Sequence, residues 1–128
     1  MARKLSVAPR HEFTVSEEDR RSLVEVGQTV LANLRHDKAL IAWAEAEGLY
    51  VRIDRRSEWG NPYEIGDDGD RKTVIESFRR YLHRKLGLRK RSVELRGKVL
   101  GCWCYPDPCH GDVLIGLTKE SPVEHDAP

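Results

Sequence analysis

Apolar residues recur at spacings of three and four residues near the start of the chain, and this pattern predicts a helix. The helix is expected to begin at Thr14 or Ser16, both good N-caps, and to end near Arg35. Its apolar stripe consists of Leu23, Val26, Val30 and Leu34. A second helix is predicted between Asp37, another capping residue, and Gly48, which suits the left-handed position after a helix. Residues 13–48 are therefore interpreted as a helical pair packed on the core.

The apolar pattern changes to alternation at residues 50–54 and again at 98–104, and both segments are predicted to be strands. Between them, Asp70 caps a predicted helix that ends at Gly87, and residues 89–96 form a short helical or irregular segment. A last helix is predicted from Asp112 to about Lys119. Because a long helical crossover joins the strands, we expect a small, mostly parallel sheet with flanking helices, in an α/β or α+β domain over residues 49–119. Residues 1–12 are expected to be a flexible arm, and residues 120–128 a disordered tail.

Two unusual loops follow the predicted strands, over residues 55–70 and 105–111. Ligands of parallel sheets bind beyond the carboxyl ends of the strands, and both loops leave those ends. We therefore expect the two loops to share one site.

Composition limits the class of protein. Hydrophobic residues make up 39% of the chain, which argues for a folded globule rather than disorder. The longest apolar runs, residues 39–44 and 113–117, are far shorter than the roughly 20 residues that a membrane span needs, and no early segment resembles a signal peptide. Three cysteines are too few for a disulfide scaffold, so we expect a cytoplasmic protein without a membrane partner, whose thiols are free or metal-bound.

Charge is concentrated in one region. The chain has a net charge of +1, yet residues 71–98 contain eleven basic and two acidic residues. Such a segment is suited to phosphate, so nucleic acid or a nucleotide is the expected partner. The candidate phosphate-binding residues on the helix are Arg79, Arg80 and Arg84. The alternative is a solvated helix face paired with the acidic remainder.

The strongest local motif is C-x-C-x4-C-H, in which the candidate metal ligands are Cys102, Cys104, Cys109 and His110. Side chains alternate along a strand, so Cys102 and Cys104 are expected on one side, and the following loop can bring Cys109 and His110 back to them. Sulfur and imidazole nitrogen are the ligands that Zn²⁺ takes in tetrahedral sites, so zinc is a possible cofactor. Because adjacent ligands are awkward, His36 or His83 could replace His110.

Two other interpretations of this motif stay open. Cys109 precedes a predicted helix whose start is marked by Asp112, and the amides at a helix start bind anions and activate thiols. Cys109 is thus a candidate nucleophile, and Asp112 a candidate ligand-binding residue. Alternatively, Cys102, Cys104 and Trp103 are ordinary buried strand residues, and residues 109–112 form an N-terminal helix cap.

A second motif, residues 59–63, places Asn61 between Trp59 and Tyr63. An amide flanked by aromatic rings suits a planar base or a sugar hydroxyl. The preceding arginines, Arg52, Arg55 and Arg56, suit a phosphate or, alternatively, ion pairs with Asp67, Asp68 and Asp70. The alternative is a tight turn with both aromatic side chains in the core.

These two motifs, WGNP(Y/F) at residues 59–63 and CWCxPxxCHGDVL at residues 102–114, resemble an uncharacterised family of small domains. The resemblance covers residues 49–117. Members of that family, a domain of unknown function, occur in bacteriophages, actinobacteria and mobile elements, sometimes beside ParB-like or DNA-modifying modules. The resemblance implies no particular reaction, but it implies work on nucleic acid or nucleotides, or interference with a host process.

The leading hypothesis is a phage-related, zinc-binding module for nucleic acid or a nucleotide. The first alternative is a cysteine-dependent enzyme of nucleotide or nucleic-acid modification, in which Cys109 and Asn61 are catalytic. The second alternative is a phage protein that binds and inhibits a host protein.

Overall fold

Three short strands form the sheet: β1 (Val30–Asn33), β2 (Tyr50–Arg52) and β3 (Val99–Cys102). The computed structural model describes residues 15–120. β3 lies in the middle, and both neighbours run parallel to it. The α/β class and the parallel pairing predicted from the sequence are therefore confirmed.

Five α-helices surround the sheet in the described part of the chain: α1 (Glu17–Glu25), α2 (Lys38–Ala46), α3 (Arg71–Arg84), α4 (Leu86–Arg91) and α5 (His110–Thr118). A 3-10 helix, Ser92–Leu95, follows α4. The predicted N-caps Ser16 and Asp70 are confirmed, because their side chains accept hydrogen bonds from backbone amides in the first turns of α1 and α3. Thr14, the other N-cap predicted for the first helix, lies outside the described residues. Asp37 precedes α2, but its carboxylate makes no capping bond there.

The prediction of one helix that reaches Arg35 is wrong. Helix α1 ends at Glu25, Gly27 adopts a φ of 94°, and the chain then enters strand β1. All four β1 residues are buried, as expected for a strand covered on both faces. Val30 and Leu34 have the spacing of a helical apolar stripe. The segment nevertheless forms a strand, because it pairs with β3.

The start of α5 also differs from the prediction. The N-cap is Cys109 rather than Asp112, and the helix begins at His110. Asp112 accepts a hydrogen bond from the Cys109 amide at 3.0 Å, while the Cys109 Sγ accepts one from the Gly111 amide at 3.2 Å. This reciprocal capping box fixes the thiol at the start of the helix.

The sheet separates two apolar cores. The α1/α2 core is built from Val24, Val30, Ala32, Leu40, Ala44 and Val99. The α3/α5 core is larger and includes Leu31, Ile53, Phe78, Leu100 and Leu114. Alternation along β1 and β3 sends successive side chains to opposite cores. The α3/α5 core continues to the carboxyl edge of the sheet, where Cys102 and Cys109 belong to it.

The predicted arm, residues 1–12, lies outside the described residues, and so does the predicted tail except for Glu120. Between residues 15 and 120, every helix is too short or too polar to span a bilayer.

Candidate functional site

A pocket of about 560 Å³ lies at the carboxyl edge of the sheet, where β2 and β3 end. Its volume is in the range of small-molecule sites. The loop after β2 contributes Asn61 and Tyr63, and the segment after β3 contributes Cys104, Cys109 and His110. The two loops therefore converge on one pocket, as the sequence predicts.

A carboxylate at the end of β2 organises one wall of the pocket. Asp54 accepts hydrogen bonds from Arg52 Nε at 2.9 Å and Nη2 at 2.7 Å, and from the Trp103 Nε1 at 3.0 Å. The hydrogen bonds from Arg52, then those from Trp103 and the Arg56 amide, lower the pKa of Asp54 to about 2, against the effect of burial. Asp54 is therefore ionised at neutral pH. Its hydrogen bonds hold the side chains of Arg52 and Trp103 in place.

Trp103 is held in place and yet exposed. The bond to Asp54 fixes the indole nitrogen, but 53% of the residue remains accessible, and it lines the pocket. The structure thus does not support the interpretation of Trp103 as an ordinary buried strand residue. A fixed indole with an accessible ring is suited to stacking against a flat ligand.

The three cysteines form one cluster in the pocket wall. The Sγ atoms of Cys102 and Cys109 lie 3.7 Å apart, and Cys104 lines the same pocket. Cys102 and Cys109 are 1% and 3% exposed, whereas Cys104 is half-buried.

The cluster distinguishes the thiols electrostatically. The hydrogen bond from Cys109, followed by interactions with Arg71, lowers the pKa of Cys104 to about 6, although burial opposes this shift. The contacts with Cys102 and Cys104, together with burial, raise the pKa of Cys109 above its usual range. The pKa of Cys102 is lowered as well, chiefly by the hydrogen bond from Cys109. The role of Cys109 as a nucleophile stays a prediction.

His110 is part of the structural framework. Its Nε2 hydrogen bonds to the Ile53 carbonyl at 2.7 Å, and its ring packs edge-on against Phe78 with centroids 5.0 Å apart. Burial is the main cause of its lowered pKa. Across residues 15–120, no three or more His, Cys, Asp or Glu side chains are grouped so as to hold a metal ion. Zinc binding by the three cysteines and His110 stays a prediction, as does substitution by His36 or His83, which do not line the pocket.

The residues of the WGNP motif have different positions. Trp59 is 4% exposed and belongs to the α3/α5 core, which agrees with the tight-turn alternative for this side chain. Asn61 donates to the Val74 carbonyl at 3.1 Å and accepts from the Tyr63 amide at 3.0 Å, so it anchors the loop to α3. Asn61 and Tyr63 also line the pocket, unlike Trp59.

The glycine of this motif is required by close backbone approach. A Cβ at Gly60 would lie 2.5 Å from the Asp54 carbonyl oxygen and 2.7 Å from the Arg55 Cα. These backbone atoms cannot move aside as a flexible side chain can. Gly60 therefore lets the loop return close to the end of β2, where the pocket lies.

Three arginines line the pocket. Arg55 pairs with Glu64 and donates to the Tyr63 carbonyl, and Arg71 donates to the Pro108 carbonyl at 2.9 Å. The Arg56 guanidinium has no hydrogen bond or ion pair with any residue between 15 and 120. Arg56 is thus available to an anionic ligand.

The other predicted ligand-binding residues lie outside the pocket lining. Arg52 is engaged by Asp54, and Asp112 caps α5. Arg79 pairs with Glu76, and Arg80 is exposed on α3. Arg84 Nη2 lies 3.5 Å from the Tyr63 hydroxyl, so the exposed basic face of α3 adjoins the pocket. Their roles in binding stay predictions.

Sequence reasoning did not include Asp54, Arg71 or Trp103 among the site residues. The signal was positional: Asp54 and Trp103 follow the carboxyl ends of two predicted strands, where parallel sheets bind ligands. Arg71 begins the helix that follows the long loop. Their partners are distant in the chain, so only the folded arrangement identifies their contacts.

The fold and the pocket define a small α/β protein with a thiol-containing cavity at the edge of a parallel sheet. The chain belongs to the family described as Domain of unknown function (DUF4326), which matches residues 32–120. This finding confirms the predicted membership of an uncharacterised family.

Two relatives are viral. The chain is 43% identical over 73 residues to an uncharacterized 12.4 kDa protein in the nrdA-td intergenic region of Enterobacteria phage T4. This match covers 54% of the chain and 67% of the relative. The chain is also 37% identical over 71 residues to uncharacterized protein R718 of Acanthamoeba polyphaga mimivirus, covering 49% of the chain and 54% of that relative. No solved structure matches significantly. The prediction of a phage-related domain is confirmed.

Proposed function

We propose that the pocket binds a nucleotide, with the phosphate at the arginines and the base against the indole of Trp103. The observation that carries this proposal is the accessible Trp103 ring, fixed at its nitrogen, in the same pocket as Arg56. A base needs a flat apolar partner and a phosphate needs cationic donors. The pocket offers both kinds of group.

The phosphate end of the ligand is assigned to Arg56 and Arg71. The guanidinium of Arg56 has no partner among residues 15–120, and Arg71 keeps further N–H groups beyond the one that donates to Pro108. Arg55 is a weaker candidate, because Glu64 already neutralises it. Arginine suits this role because its planar fork can donate two parallel hydrogen bonds to phosphate.

The base end is assigned to Trp103. The bond from Trp103 Nε1 to Asp54 orients the ring before a ligand arrives, so little side-chain freedom is lost on binding. Stacking on an aromatic side chain is worth about 1 to 3 kcal/mol per base. The proposal therefore predicts that Trp103 contributes strongly to affinity and weakly to the choice of base.

Tryptophan fluorescence gives the first test. Adding a nucleoside monophosphate should quench part of the emission, and Trp103→Phe should remove the quenching and weaken binding about tenfold. Trp43→Phe is the matched control, since Trp43 lies on α2 and does not line the pocket. Equal quenching in the Trp103→Phe protein would rule out stacking on this ring.

Arginine variants test the phosphate end. Loss of a charge-assisted hydrogen bond costs about 1.5 to 3 kcal/mol, so Arg56→Ala should weaken nucleoside monophosphate binding at least tenfold. Its effect on the parent nucleoside should be small. Arg79→Ala is the control, because Arg79 is exposed on α3 outside the pocket lining. Equal losses for nucleotide and nucleoside would contradict the assignment.

Nucleic acid is a second candidate ligand, favoured by the contact between Arg84 and Tyr63. This contact joins the pocket to the exposed basic face of α3, so a strand with its end in the pocket could continue along the helix. If about four phosphates are neutralised, log K should fall with log salt at a slope near −4. Binding of an oligonucleotide that ignores ionic strength would exclude this candidate. A host-protein partner stays a prediction.

A further inference from the structure

We propose that the Arg55–Glu64 ion pair and the Ile65 side chain form a base-recognition subsite that favours guanine over the other bases. The subsite rests on the proposed function, because it names the class of nucleotide that the same pocket takes. Its residues lie on the loop after β2 and are distinct from those assigned to stacking and to the phosphate.

An exposed isoleucine forms part of the pocket wall. Ile65 is 53% exposed, as is Trp103, and of the large hydrophobic residues that the chain exposes between residues 15 and 120, only these two line the pocket. Proteins that read an unstacked base hold it between aromatic or apolar side chains. Trp103 therefore takes one face of the base, and Ile65 covers the other.

A closed turn fixes the segment that carries Glu64 and Ile65. The Glu64 amide donates to Asp68 Oδ2 at 2.8 Å, and the Asp68 amide donates back to the Glu64 carbonyl at 2.8 Å. The Gly66 amide donates to the Gly69 carbonyl, also at 2.8 Å. The backbone is thus ordered before a ligand arrives, so little freedom is lost on binding.

The ion pair supplies polar groups for the edge of the base. Arg55 Nη1 donates to Glu64 Oε2, and Arg55 Nη2 donates to the Tyr63 carbonyl at 3.3 Å. The two charges offset each other, so the pair has little attraction for a phosphate. The guanidinium keeps further N–H groups, and the carboxylate keeps further acceptor sites, for a neutral ligand. Both side chains are about half exposed and line the pocket, so a base edge is the partner that they suit.

Guanine has the edge that matches a carboxylate beside a guanidinium. Its N1–H and N2–H groups lie side by side and can both bond to one carboxylate, and its O6 and N7 atoms are acceptors that arginine binds together. Adenine and cytosine offer a carboxylate one amino group, and uracil offers one ring N–H. Guanine therefore makes at least one more hydrogen bond to the pair, and losing such a bond to a charged group weakens binding about tenfold.

A series of nucleoside monophosphates tests the preference on the wild-type chain by calorimetry. Guanosine monophosphate should bind about tenfold more tightly than adenosine monophosphate. Inosine monophosphate, which lacks the 2-amino group, should fall between them. Equal affinities for the guanine and adenine nucleotides would overturn the subsite and leave nucleotide binding itself in place. If none of the three binds at millimolar concentration, the proposed function fails and the subsite fails with it.

Glu64→Gln tests the carboxylate. The variant keeps the shape of the side chain but replaces one acceptor oxygen with an amide donor, so the affinity ratio of the guanine to the adenine nucleotide should fall from about ten to about one. The ratio is the readout, because an unpaired Arg55 would attract every phosphate equally. Glu58→Gln is the matched control, since Glu58 pairs with Arg91 outside the pocket lining. An unchanged ratio in Glu64→Gln, or the same fall in Glu58→Gln, would contradict the assignment.

Ile65→Ala tests the second face of the base. Loss of the apolar cover should weaken the guanine and adenine nucleotides alike, by about fivefold, and leave their affinity ratio unchanged. Val93→Ala is the control, because Val93 is also exposed and lies outside the pocket lining. Substitutions at exposed positions have little effect on folding, and thermal unfolding of both variants checks this. Wild-type affinities in Ile65→Ala would overturn the role of Ile65.

Discussion

The two sides of the sheet use polar groups differently. On the α1 side, Arg20 is 4% exposed, and its guanidinium donates to the Leu31 carbonyl at 2.7 Å and to Asp37 at 3.0 Å. At the pocket, Arg56 has no side-chain partner in residues 15–120, and the Trp103 ring is exposed. Around Arg20, the polar groups bond to other groups of the protein. The arrangement at the pocket leaves polar and aromatic groups directed at a cavity, which is the expected difference between a structural network and a binding site.

The largest effect on stability is expected on the α1 side. Arg20→Ala would leave the Asp37 carboxylate without its buried partner, and breaking such a pair costs about 3 to 5 kcal/mol. Urea denaturation measures the loss in the free energy of unfolding. Arg21→Ala is the control, because the Arg21–Glu25 pair is exposed and should contribute less than about 1 kcal/mol. If both variants lost the same free energy of unfolding, the buried Arg20–Asp37 pair would not differ from an exposed pair, and the account would be contradicted.

A smaller effect is expected where α5 meets the sheet. A Cβ at Gly111 would lie 2.5 Å from the Leu31 Cδ2 and 3.0 Å from the Ile53 Cδ1. Gly111→Ala should therefore destabilise the protein by about 2 kcal/mol through overpacking. Gly116→Ala in the same helix meets nothing within 4 Å and should stabilise it by about 0.5 to 1 kcal/mol. Thermal unfolding of both variants checks the opposite signs, and equal signs would refute the packing argument.

The smallest of these effects concerns Asp54. Its pKa is about 2 in the folded chain against an ordinary 3.8, so its contribution is complete above about pH 4 and is lost as the pH falls toward 2. Asp54→Asn should cost about 1 to 2 kcal/mol at neutral pH and weaken nucleotide binding, because Trp103 loses its anchor.

Denaturation at several pH values provides the check on Asp54. The difference in unfolding free energy between the wild-type and Asp54→Asn proteins should shrink as the pH falls from 4 to 2. A difference that is constant over this interval would show that the charge of Asp54 does not act as described.

Local signals predicted most of the helices. Capping residues and a regular apolar stripe identified α3, whose N-cap Asp70 bonds to the Thr73 amide. Strand β1 was missed because its four residues lack alternation, and its pairing partner β3 lies far along the chain. The strand structure of β1 therefore depends on tertiary contacts rather than on its local sequence.

The candidate site was predictable only in outline. The sequence indicated that two loops meet at the carboxyl edge of the sheet, and both line the pocket. It could not separate the three cysteines, because the burial of Cys109 and the exposure of Cys104 depend on α5 and on the loop before it. The bond between Asp54 and Trp103 joins residues 49 positions apart, so no local pattern signals it.

The central claim is that the pocket at the edge of the sheet receives a nucleotide, and the indole N–H resonances of the three tryptophans test it most directly. Titration of the full chain with a nucleoside monophosphate should shift the signal of Trp103 together with backbone amides of residues 54–56. The signals of Trp43, on α2, and Trp59, in the α3/α5 core, should stay nearly unchanged. Shifts confined to Trp43 and α2, or no shift at millimolar nucleotide, would contradict the account.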